Sequence, residues 1–79
     1  MCVKVRLSEA RVGSIYLIIE IKGDIKVRQH LSKLGVLPGV KVKLENKAAL
    51  GGALLLNVEG KKVGVERRIA DKILVGTHE

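Results

Sequence analysis

The segment Leu34-Gly35-Val36-Leu37-Pro38-Gly39-Val40 restricts the fold more than any other part of the chain. Upstream of it, Val27, Leu31 and Leu34 fall at i, i+4 and i+7 and form one apolar helical stripe. Lys26, His30 and Lys33 repeat that spacing on another face. Asp24 can cap the helix by accepting from its first free N–H groups. Gly35 is placed to adopt the left-handed conformation that ends a helix, which puts Val36 against Leu31. Pro38 then presets the second position of a tight turn, and Gly39 supplies the positive φ of the third. A helix of about three turns is thus stopped and redirected within a few residues, and packing of its stripe must hold it.

Around this helix the pattern has the period of strands. Between Gly13 and Gly23, Ile15, Leu17, Ile19 and Ile21 face one way, and Tyr16, Ile18, Glu20 and Lys22 the other. After the turn, Val40, Val42 and Leu44 alternate with Lys41, Lys43 and Glu45, a strand with one wet side. Asn46 to Gly52 is a loop with a small apolar tip. Ala53 to Glu59 is a further strand, with Leu54, Leu56 and Val58 in phase. Gly60-Lys61 makes a hairpin turn, and Lys62 to Glu66 returns with Val63 and Val65 inward. Arg67 to Lys72 fits a single helical turn burying Ile69 and Ala70, and Ile73 to Val75 a last short strand. A chain of 79 residues is too short to stack about five such strands into two sheets, so a small, strongly curved barrel is expected. The helical stripe should cover it, with Val40, Val42, Leu44, Leu54, Leu56, Val58, Val63 and Val65 inside. Residues 1–79 then form a single domain.

Composition narrows the function. The longest apolar stretch, Ile15 to Ile19, is far short of a membrane span, and Lys4, Arg6 and Glu9 interrupt any leader sequence. A cytoplasmic location is expected. A single cysteine, Cys2, excludes an internal disulfide and a Cys-rich zinc module. Tyr16 is the one aromatic residue, so no platform for stacking single-stranded bases exists.

The stretch Gln29 to Val42 resembles the signature of the FeoA domain, the small cytosolic component of bacterial ferrous iron transport. The family pattern is a helix ending Leu-x-x-Leu-Gly, an apolar pair, Pro-Gly and a strand, here carried by Leu31, Leu34, Gly35, Pro38 and Gly39. The apolar loop from Ala48 to Gly52, the strand from Leu54 to Val58 and the close Arg67-x-x-Ala70-x-x-Ile73-x-Val75 are similar to the family as well. The likeness covers roughly residues 7 to 75. It implies a mainly β, SH3-like barrel with one α-helix inserted after the first long strand. It further implies a non-enzymatic accessory or regulatory role beside the membrane GTPase-permease FeoB. On this reading the protein is cytoplasmic and reaches the inner membrane through that partner.

Four kinds of site are open to such a chain. For a transition metal the soft or borderline donors are Cys2, His30 and His78, none in a chelating spacing, and His30 lies between Lys26 and Lys33, whose charge disfavours a cation. No dedicated iron site and no cofactor are expected, although the resemblance brings transient transition metal binding into view. Ser8, Ser14, Ser32 and Thr77 have no nucleophile context, so an enzyme is not expected. The net charge of +7 makes a small basic barrel binding nucleic acid the alternative reading. Against it, the cations are interspersed with Glu45, Glu59 and Glu66, as on an ordinary solvated surface. The favoured reading is a docking surface of Leu37 and Leu50 with Lys41 and Lys43, suited to an acidic cytosolic partner or to the anionic inner membrane surface beside it.

Overall fold

The protein is described by a computed structural model covering residues 4–77. Six strands form one antiparallel sheet: β1 (Lys4–Arg6), β2 (Ile15–Ile21), β3 (Lys41–Lys47), β4 (Leu54–Val58), β5 (Lys61–Val65) and β6 (Ile73–Thr77). Helix α1 (Ile25–Lys33) joins β2 to β3, and a single turn, α2 (Arg67–Ala70), joins β5 to β6. The strand order is β1-β6-β2-β3-β4-β5. The mainly β fold with one inserted helix is therefore as expected, with three differences of detail.

The strands number six because Lys4–Arg6 pairs with β6, Val5 opposite Val75. Three residues with cations on both sides of a valine carry too little periodicity to be read as a strand. The hydrogen-bonded sheet is also not closed, and β1 and β5 are its edges. Third, the hairpin between β4 and β5 turns on Glu59 and Gly60, not on Gly60 and Lys61. Both residues have positive φ, 53° and 89°, as a type I′ turn demands, and Asn57 Oδ1 accepts from the Gly60 N–H at 2.8 Å. That bond helps hold Glu59 in a conformation unusual for a side-chain-bearing residue.

The helix is built as its sequence dictates. The Asp24 carboxylate accepts from the Val27 N–H at 3.0 Å. At the other end Gly35 takes φ +86°, its N–H donates to Ser32 O at 3.0 Å, and the Val36 N–H donates to Leu31 O at 2.9 Å. These are the two bonds of a Schellman ending, which satisfies carbonyls the helix would otherwise leave bare. Gly39 has φ +91° and the Val40 N–H closes the turn onto Leu37 O at 3.2 Å. The same turn docks on β2: the Gly39 N–H donates to Ile18 O at 2.7 Å, and the Ile18 N–H to Val40 O at 2.9 Å. Helix stop, turn and strand thus form one continuous device.

The core collects one face of the sheet. Val42, Leu44, Leu54, Leu56, Val58, Val63 and Val65 are buried as expected, while Val40 is half-buried because it sits in the turn before β3. Leu31 is fully buried, with Val27 and Leu34 packed half-exposed beside it. The core also takes in Leu7, Tyr16, Ile18, Ile21, Val36, Ile73 and Val75. In β2 strict alternation fails, since the register with β6 shifts between Ile18 and Glu20. That bulge lets Tyr16, Ile18 and Ile21 all point inward. The Tyr16 hydroxyl accepts from the Arg11 N–H at 2.8 Å and pins the turn that leads into β2. Ala70 on α2 is buried and Ile69 half-buried, and the following Asp71 carboxylate accepts from the buried Ser8 hydroxyl.

Candidate docking surface

The loop after β3 folds so as to expose its one large apolar side chain. The Ala48 N–H donates to Ala53 O at 3.0 Å and closes the loop at its base. At the base, too, Gly52 approaches so closely that a Cβ there would lie 2.7 Å from Ala48 Cβ. Leu50, at the tip, has φ 59° and ψ 35° and is 105% exposed. Neither feature suits an isolated leucine: the left-handed backbone costs about 1–2 kcal/mol, and the side chain loses no water. It does not fold back onto the core.

Leu37 occupies the other end of β3, in the turn that enters it, and is 42% exposed. It borders an open cleft of about 670 Å³ with Ile25, Arg28, Gln29, Ser32 and Lys33. Ile25, at the start of α1, is also exposed; it lies off the helical stripe, and its neighbourhood to Leu37 arises only from the fold. Lys41 and Lys43 lie between Leu37 and Leu50 along β3, on its outer side, opposite the buried Val42 and Leu44. Among the described residues the ion pairs are Arg6–Glu9 at 3.9 Å and Arg68–Glu66 at 3.8 Å, so neither lysine is neutralised within the fold. The seven residues of β3 span roughly 23 Å. An interface of ordinary size, about 800 Å² on each partner, reaches both ends.

Of the three metal candidates, one lies among the described residues. His30 is exposed on α1, and Cys2 and His78 lie outside the described residues. Among the described residues no group of three or more His, Cys, Asp or Glu side chains converges on a point. The helix α1 is nine residues long, and no described helix is long and apolar enough to cross a membrane.

A family model described as the FeoA domain matches residues 5–76. Among solved structures, the FeoA protein from Chlorobium tepidum matches with a TM-score of 0.88 at 28% identity, covering 95% of this chain and 71% of that one. The crystal structure of an iron uptake regulatory protein (FeoA) matches with a TM-score of 0.83 at 25% identity, covering 92% and 95%. The T. acidophilum protein IdeR shares the fold alone, with a TM-score of 0.84 at 22% identity over 34% of its own chain. No curated protein matches the sequence.

Proposed function

The chain belongs to the FeoA family of iron transport proteins, and from that premise we propose that it is a non-enzymatic accessory protein. It acts in the cytosol by contacting the cytosolic part of the membrane GTPase-permease FeoB. The contact runs along β3, with Leu37 and Leu50 as apolar anchors at its two ends and Lys41 and Lys43 between them. The observation that carries this reading is Leu50, held fully in water on a left-handed backbone by a loop closed at its base.

The division of labour follows from the chemistry of the four side chains. Burying a leucine that starts in water contributes about 1.5–3 kcal/mol, so the two ends supply affinity. Lysines at an accessible face contribute mainly to the rate of encounter with an acidic surface, and their effect fades with salt. The anchors face outward from turns closed by backbone hydrogen bonds, so little backbone ordering is needed on binding. A pull-down of the cytosolic GTPase domain on immobilised protein tests the assignment. Capture is expected with the unaltered chain, to fall with Leu50→Asp, and to fall with Lys41→Glu/Lys43→Glu most clearly at low salt. Equal capture by all three places the contact elsewhere.

A further inference from the structure

A second exposed apolar feature lies beside β3, on the outer side of β2. Ile15 is 55% exposed and Val12, in the turn leading into β2, is 52% exposed. Leu17 is half-exposed in line with Ile15, two residues further along the strand. The turn is fixed rather than loose: the Gly13 N–H donates to Leu44 O at 2.7 Å, and the Ser14 N–H to Arg11 O at 3.3 Å. The strand register places cations on both flanks. Ile15 is opposite Lys43 and Leu17 opposite Lys41 on β3. On the other side Leu17 is opposite Gly76, which is opposite Lys4 on β1. Gly76 has no side chain, so nothing on β6 stands between Leu17 and Lys4 in that row.

We propose that Val12, Ile15 and Leu17, flanked by Lys4, Arg11, Lys41 and Lys43, form a ridge that rests on an anionic phospholipid bilayer. The shape selects this occupant. The sheet wraps its core, so its outer side is convex, and a convex apolar ridge finds a deformable surface more readily than a complementary groove. Aliphatic side chains enter the interface while the long lysine and arginine side chains reach outward to the phosphates. The four cations outnumber the acids on the same strands, Glu20 on β2 and Glu45 on β3, and Glu9, before the turn, is paired with Arg6. The inference goes beyond the partner contact and is compatible with it, because a partner anchored in the membrane brings the neighbouring strand to the lipid.

Co-sedimentation with vesicles tests it. Binding is expected to vesicles of phosphatidylglycerol with phosphatidylcholine, and none to phosphatidylcholine alone. Lys4→Gln/Arg11→Gln should weaken it about 25-fold, at roughly fivefold for each charge near the surface. Val12→Ser/Ile15→Ser changes only exposed side chains and should weaken it roughly tenfold or more, with an unchanged circular dichroism spectrum. Absence of binding to the anionic vesicles at low salt overturns the proposal. Equal binding by Val12→Ser/Ile15→Ser overturns it too, because that is diffuse attraction by net charge. Loss of GTPase-domain capture by Val12→Ser/Ile15→Ser with unaltered vesicle binding reassigns the ridge to the protein partner. The two readings fail separately, since Leu50→Asp bears on the partner alone.

Discussion

Replacing Gly35 by alanine isolates the backbone term at the point where the helix is turned into the sheet. A Cβ added there meets only Val58 Cγ1, at 3.7 Å, an ordinary van der Waals contact. Crowding therefore contributes nothing, and what remains is the cost of holding a side-chain-bearing residue at φ +86°. That cost is about 1–2 kcal/mol, offset in part by the lower freedom of alanine in the unfolded chain, about 0.4–1 kcal/mol. The net expectation is a loss of about 1 kcal/mol from a domain whose whole stability is on the order of 4–12 kcal/mol. Asparagine, which tolerates this region, should cost less, and valine, stiffened by its branch at Cβ, more. Urea unfolding followed by circular dichroism reads this directly. With a slope near 1 kcal/mol/M for so small a protein, alanine should lower the midpoint by about 1 M at unchanged slope. If alanine leaves the midpoint where it was, or asparagine is no better than valine, the helix does not end in the left-handed geometry and the reasoning fails.

Leu31→Ala should cost about 2–5 kcal/mol in the same assay, and Leu34→Ala, at a half-exposed position, less than half of that. Tyr16→Phe removes the acceptor of the Arg11 N–H and should cost about 0.5–1.5 kcal/mol, with faster hydrogen exchange at Arg11. Unchanged exchange there would mean that the hydroxyl does not hold the turn. Gly52→Ala would put a Cβ 2.7 Å from Ala48 Cβ and force the loop base to open, so the amide resonances of residues 48–53 should move while those of β4 and β5 stay. A spectrum unchanged around Leu50 would refute the tight loop base.

The parts of the fold that could be read from the chain are those where each residue has a local reason. Asp24, Gly35, Pro38 and Gly39 each answer a specific backbone demand, and α1 and the turn formed where those residues placed them. The strands from Val42 to Val65 were legible because their inner residues alternate, Val42 and Leu44 ahead of the register shift between Leu44 and Asn46, then Leu54 to Val58 and Val63 to Val65. β2 was not fully so, since the bulge that turns Tyr16, Ile18 and Ile21 to one side is set by pairing with β6, a strand over fifty residues away. The hairpin slipped by one residue for a similar reason: Glu59 accepts a positive φ that its own side chain does not favour, with Asn57 supporting the turn. At the candidate surface, Leu37 and Leu50 could be singled out as apolar residues in loops. Their positions at opposite ends of β3, and the company of Ile25 beside Leu37, come from tertiary structure alone. Ile15 gave no sign of exposure, because an isoleucine in an alternating strand reads the same on either face.

In the proposed function, the exposed apolar side chains at the two ends of β3 are held out for the cytosolic part of the GTPase-permease. Calorimetric titration of that cytosolic part with the unaltered chain and with Leu50→Asp tests it most directly, because Leu50 touches no part of the core and its replacement leaves the fold intact. A saturable isotherm is expected, weakened at least about tenfold by Leu50→Asp, as the loss of one buried leucine implies. No heat of binding, or the same affinity for both proteins, would contradict the claim.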